Sequence, residues 1–198
     1  MWGDLMISID VQNAGYEDKI VLKDFSCEIL EGQLNVLIGK SGVGKTTLLN
    51  IILGLNSSYK GNIKGLENKK ISAVFQEDRL MEDMSVYKNL MLVNKDRELM
   101  EKAIAGMGMD NILNVRVNKL SGGMKRRIAL VRALIGEFDI LVLDEPFVGI
   151  DKETLKKVIE YIKSAARGKT IIMASHDENL YEYFSEYNII KVKENNCG

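Results

Sequence analysis

Lys45 and Thr46 close a glycine-spaced run, Gly39-x-x-x-x-Gly44-Lys45-Thr46. These residue types at this spacing suit one task, holding a phosphate chain. The glycines let the backbone curl until its amides converge on phosphate oxygens, and the positive end of a following helix adds to the pull. A lysine here reaches the outer phosphates, and a threonine hydroxyl offers one ligand to magnesium. Gly39, Lys40, Ser41, Gly42, Val43, Gly44, Lys45, Thr46 and Thr47 therefore form the candidate cradle. An ordinary glycine-rich turn is the alternative, and the flanks argue against it. "QLNVLIG" is a near-continuous apolar run that reads as a buried parallel strand, and a helix is expected from Gly44 to about Leu55.

A second set of groups lies at the ends of later strand patterns. "ILVLDEP" places Asp144 and Glu145 just past an apolar run, where unpaired carboxylates would be costly. Asp144 is the expected magnesium partner. Glu145, one residue on, is the candidate general base for an attacking water. Taken alone, such a pair is more often a solvated strand end; after a phosphate loop, in the same sheet, the functional reading dominates. Gln76 ends "ISAVFQ" and is a candidate contact for magnesium or the water, with a plain surface residue as the alternative. His176, the only histidine, follows "TIIMAS" and could offer a donor and an acceptor to a terminal phosphate.

A third element duplicates the first. In "LSGGMKRR", Ser121 can cap a helix while Gly122 and Gly123 leave room for an anion to approach. A cap without ligand is the alternative. Met124, Ile128, Val131 and Ile135 give that helix a buried face, and Lys125, Arg126 and Arg127 read as its solvated face.

The elements that must carry these residues alternate. "LMISIDVQ" and "KIVLKDFSCEIL" read as strands of an N-terminal antiparallel part. Strand patterns at "QLNVLIG", "KISAVFQ", "DILVLDEP", "KTIIMASH" and "YNIIKVK" imply a parallel sheet. The segment from Asp78 to about Leu134 is expected to be mostly helical, and a helix "DKETLKKVIEYIKSA" separates two strands. A further helix and strand are expected beyond His176. The fold class is therefore α/β: a parallel-sheet core with an inserted helical subdomain, 78–134, in one domain spanning 1–198.

Composition agrees. With 46% hydrophobic and 28% charged residues the chain is globular, and a net charge of −1 argues against a broad nucleic-acid footprint. Cys27 and Cys197 sit near opposite ends and read as free thiols in a reducing compartment. The N-terminus lacks the pattern of a signal peptide, and runs such as "LLNIILGL" fall short of the roughly 20 residues a membrane span needs. A cytoplasmic protein is expected, with any membrane role exercised through a partner.

The phosphate loop, Gln76, "LSGGM", "LVLDEP" and His176 occur in that order, and together they resemble the nucleotide-binding subunits of ABC transporters, from about Tyr16 to His176. The resemblance implies a P-loop NTPase of the ABC ATPase type that hydrolyses ATP with Mg2+. It implies that Ser121, Gly122 and Gly123 serve the γ-phosphate of ATP held by a second copy of the chain. It assigns Tyr16 to stacking on adenine, though Tyr16 read locally could equally be a loop residue, and Asp151 of "FVGID" to a loop crossing the dimer interface. The segment after Gln76 matches the surface that grips membrane-spanning permease subunits at the inner face of the membrane. Met124 where many members carry glutamine, Phe147 after "DEP", and "VFQEDRL" are similar to the nitrate/sulfonate/taurine importers. An extracytoplasmic solute-binding protein is then an indirect partner, and nucleic acid is not expected as one. Two rivals stand beside this reading. A soluble ABC-type ATPase acting on nucleic acid or ribosomes would carry long coiled-coil insertions or two fused ATPase domains. A regulator that does not hydrolyse ATP would have no use for the intact set Asp144, Glu145 and His176.

Overall fold

The structure, a computed structural model, describes residues 6–16, 19–177, 180, 183, 184 and 186–193. Its N-terminal sheet is antiparallel in the order β2-β1-β4, from β1 (Met6–Tyr16), β2 (Lys19–Leu30) and β4 (Tyr59–Lys64). Alternation along β1 turns Ile7, Ile9 and Val11 inward. Its register against β4 then shifts between Val11 and Asn13, so that Ala14 continues the buried row.

The second sheet is parallel throughout, in the order β5-β6-β7-β3-β8, from β3 (Leu34–Ile38), β5 (Ile71–Val74), β6 (Ile140–Asp144), β7 (Thr170–Ala174) and β8 (Tyr187–Lys191). Every residue of β6 and β7 is buried, because both faces of the sheet are covered. Leu141, Leu143, Ile171 and Met173 face one core, which is completed by α2 (Val86–Leu90), α3 (Arg97–Gly106), α4 (Gly122–Leu134) and α5 (Lys152–Ala165). Ile140, Val142, Ile172 and Ala174 face the other, shared with α1 (Lys45–Ile52) and the antiparallel sheet. The carboxyl ends of β3, β6 and β7 therefore open on one edge between the two cores, which places all their loops together.

Several expectations are corrected here. Segment 78–134 is less helical than its pattern implied: between α2, α3 and α4 run turns and one 3-10 turn, Val117–Lys119. The break after α3 has a local cause. Gly108 and Asn111 both take left-handed backbone, at φ 71° and 55°. The helix after the phosphate loop stops at Ile52, three residues before Leu55, because Gly54 turns left-handed at φ 67°. Strand β4 was not expected, since "YKGNIK" lacks apolar alternation; pairing with β1 creates it. The helix expected between His176 and β8 falls largely on residues outside those described, as does Cys197. Cys27 is a free thiol.

Candidate functional site: a phosphate cleft and a second, separate turn

The loop between β3 and α1 is shaped by glycine where side chains cannot fit. A Cβ on Gly39 would lie 2.4 Å from the Val192 carbonyl oxygen, and one on Gly44, at φ 111°, would lie 2.6 Å from Leu22 Cδ2. The loop thus presses against the end of β8 and against β2. Lys45 is buried and curls back over it, its Nζ donating to the carbonyls of Gly39 (2.6 Å) and Lys40 (3.0 Å). That fixes a positive charge at the loop's centre.

Ser41, Gly42, Gly44, Lys45, Thr46 and Thr47 line a cleft of about 430 Å³ together with Val21, Gln76, Asp144, Glu145 and His176. A second hollow of about 590 Å³ shares Ser41 and His176 with it and adds Lys40, Lys191 and Lys193. Both volumes lie in the range of small-molecule sites.

Across the cleft the Thr46 hydroxyl donates to Asp144 Oδ2 at 2.8 Å. Burial pushes the Asp144 carboxyl above its ordinary value, as does the neighbouring Glu145 charge, while the Thr46 bond opposes the shift. A cation would relieve that desolvation. No cluster of three or more His, Cys, Asp or Glu side chains suited to a metal occurs among the described residues. The oxygen donors of Thr46 and Asp144, with Gln76 on the same cleft, fit magnesium, which takes few protein ligands and completes its shell with phosphate oxygens and water.

Glu145 has backbone at φ 47°, left-handed and unusual for a residue with a side chain. Its N–H donates to the Ala174 carbonyl at 2.9 Å, tying the ends of β6 and β7. Its Oε2 lies 2.9 Å from His176 Nδ1 and accepts from the Ser175 hydroxyl at 3.5 Å. Ser175 and Val21 were not singled out from sequence. The position of Ser175 beside His176 at a strand end was the available signal, whereas Val21 reaches the site only through sheet packing.

The second turn lies elsewhere. Ser121 caps α4 by accepting from Met124 N at 3.3 Å, and Ser121 and Gly122 are exposed, with neither lining the cleft. Gly123 abuts another loop: a Cβ there would lie 2.4 Å from the Gly149 carbonyl oxygen. Asp151 caps α5, accepting from Thr154 N at 2.9 Å. Tyr16 is also outside the cleft, its hydroxyl accepting from Asn50 Nδ2 on α1 at 3.0 Å.

The solvated face expected of α4 is a correction. Arg126 is buried, and its guanidinium donates to backbone carbonyls of two loops at the cleft. Arg127 is half-buried and bonds the carbonyls of Gly123, Met107 and Gly108. Lys125 pairs with Glu82 at 2.7 Å. The reason is packing: α4 is wedged against β5, α2, α3 and α5, so little of it remains for solvent.

Comparison with known proteins gives the family and the fold. Residues 22–148 match the family model described as ABC transporter. The chain is 31% identical over 185 residues to an aliphatic sulfonates import ATP-binding protein of Pseudomonas syringae pv. tomato, covering 91% of this chain and 79% of that one. It is 34% identical over 189 residues to a Nod factor export ATP-binding protein of Burkholderia orbicola, covering 85% of this chain and 62% of that one. The solved dimeric structure of MJ0796, a bacterial ABC transporter cassette, superposes with a TM-score of 0.81 at 25% identity, over 94% of each chain. Family match and shared fold lead to one conclusion: the chain belongs to the ABC transporter family, as an ATP-binding subunit with ATPase activity.

Proposed function

We propose that two copies of this chain close on two ATP molecules, each held between one copy's phosphate loop and the other's Ser121 turn, and that closure drives attached permease subunits. The observation that carries this reading is the exposed turn at Ser121–Gly122, set apart from a cleft that already has its own phosphate loop. An exposed helix N-terminus, whose capping Ser121 hydroxyl still has its own hydrogen to donate, suits an anion presented from outside the chain. The dimeric state of the similar solved cassette supports the same assembly.

Within each site the chain's residues divide the work. Lys45 and the loop amides hold the phosphate chain and offset its charge. Thr46 and Asp144, with Gln76 on the same cleft, would hold magnesium, which would supply further charge neutralisation to the phosphates. Glu145 takes the proton of the attacking water as its oxygen bonds the terminal phosphorus and the bond to ADP breaks. His176 orients that carboxylate through Nδ1. Tyr16 reaches adenine when the nucleotide extends past α1, and Asp151 faces the second copy.

Exposed Met81, Met84, Met91, Leu92 and Val93 gather on the helical segment after Gln76 and support docking of a membrane-spanning partner there. No helix among the described residues is long and apolar enough to cross a membrane, so such a partner would bring this chain to the inner membrane face. We assign import, on the similarity to the sulfonate importer and the motif "VFQEDRL". The export relative carries the opposite direction, and uptake against efflux in vesicles holding the cognate permease decides between them.

Light scattering of Glu145→Gln with and without ATP tests the assembly. The variant should bind ATP, turn over about 10²–10⁴-fold more slowly, and shift from monomer to dimer. Near-normal hydrolysis would remove Glu145 as the base. A protein that stays monomeric with ATP, alone and with its permease, would reduce the Ser121 turn to a helix cap.

A further inference from the structure

Arg126 lies on α4 with only 3% of its surface exposed. Its Nε donates to the Pro146 carbonyl at 3.0 Å, and its Nη2 to the carbonyls of Asp144 and Glu145, each at 2.7 Å. Its Nη1 donates to the Phe75 carbonyl at 2.5 Å and to Asp78 Oδ1 at 3.1 Å, with the Gln76 carbonyl at 3.4 Å. One guanidinium thus holds two backbone segments that border the cleft, 75–76 and 144–146.

Successive carbonyls along an extended strand point to opposite sides, so the carbonyls of 144, 145 and 146 could not converge on one donor if β6 simply continued. The left-handed turn at Glu145, φ 47°, breaks the alternation and brings them together. That conformation is unfavourable for a residue with a Cβ and persists only where its surroundings enforce it. A planar fork with five N–H donors can satisfy carbonyls on two sides at once, whereas an ammonium has three donors on a single atom.

We propose that Arg126 is the positioning residue of Glu145. By collecting these carbonyls it locks the turn that sends the Glu145 carboxylate toward His176 and the cleft, and through Phe75 and Gln76 it ties in the end of the neighbouring strand β5. Arg126 is buried and does not line the cleft; it acts through Glu145. The proposal rests on Glu145 serving as the base.

The test is a double-mutant cycle on the full chain, with Arg126→Lys, Glu145→Gln and both together. ATP affinity is measured by calorimetry, hydrolysis by single turnover at saturating ATP, and folding by thermal melting, with rates scaled to protein that binds nucleotide. Arg126→Lys should bind ATP within about threefold of the parent while its rate falls at least about tenfold, since a misplaced base spares the ground state. In the Glu145→Gln background the same substitution should cost less than about threefold, because a residue acting through Glu145 has nothing left to position. Equal losses in both backgrounds, a rise in Kd matching the fall in rate, or an unchanged rate would each overturn the proposal. If Arg126→Lys does not fold, Arg126→Gln goes through the same cycle with the same criteria. Near-parent hydrolysis by Glu145→Gln alone would instead overturn the assignment of the base, a failure distinct from that of Arg126.

Discussion

Gly122 and Gly123 are neighbours in one helical turn, yet the structure gives alanine at each the opposite sign. A Cβ on Gly122 meets nothing within 4 Å, so Gly122→Ala gains helix propensity, at most about 0.5–1 kcal/mol. A Cβ on Gly123 would lie 2.4 Å from the Gly149 carbonyl oxygen, about an ångström closer than van der Waals contact allows. The obstacle is backbone, which no rotamer change can move, so α4 or the loop before α5 must shift. Overpacking of this kind costs about 1–3 kcal/mol. Offset by the same propensity gain, a central value is about 1.5 kcal/mol of lost stability, or roughly 3–6 °C in Tm for a chain of this size. Gly122→Ala should leave Tm unchanged or raise it by up to about 4 °C. Thermal melting without nucleotide reads both. ATP-driven dimerisation in the Glu145→Gln background then separates fold from function, since both variants narrow the approach of a partner-held phosphate. A Gly122→Ala protein that melts as low as Gly123→Ala would refute the packing argument. One that dimerises with normal ATP dependence would refute the role of Gly122 toward the partner's nucleotide.

Lys45→Ala removes the ammonium that bonds Gly39 and Lys40, and ATP affinity should fall by about 10–100-fold, the worth of one charge-assisted contact; calorimetry showing unchanged affinity would contradict the cradle. Thr46→Val keeps shape but loses the hydroxyl that bonds Asp144, so the ratio of ATP affinities with and without magnesium should collapse toward one. A ratio equal to the parent's would free Thr46 of the metal. Burial, aided by the Glu28 charge, pushes the Cys27 thiol up to about 12. In a Cys197→Ser background, alkylation of the folded protein at pH 8 should run about 10³-fold slower than of the unfolded chain. The sign for stability follows: the folded state keeps this proton where the unfolded thiol, at 9.0, has lost it, so Cys27's contribution is intact below pH 9 and is lost as pH rises towards 12. Equal alkylation rates would show the thiol to be open to solvent.

The sequence by itself determined the chemistry that depends on local order. Gly39 to Thr47 read as a phosphate loop because glycine spacing, an apolar strand and a helix are contiguous in the chain, and the structure forms that strand and that helix. Asp144 could be singled out only beside the loop motif, since an acidic residue closing an apolar strand is by itself more often a solvated strand end; the structure sets it 2.8 Å from Thr46. The parallel sheet was legible in strands too apolar to face water. Tertiary structure alone decided what depends on partners distant in sequence. Strand β4 exists because β1 offers it an edge, and the break after α3 follows from the left-handed residues Gly108 and Asn111, which periodicity does not register. Arg126 shows the limit most clearly. A basic residue in the run "MKRR" reads as solvated, since charge is costly to bury. It is buried because five backbone carbonyls and a carboxylate, from segments far away in the chain, converge where its guanidinium lies. Burial of a charge is decided by its acceptors, and only the fold brings those acceptors to one place.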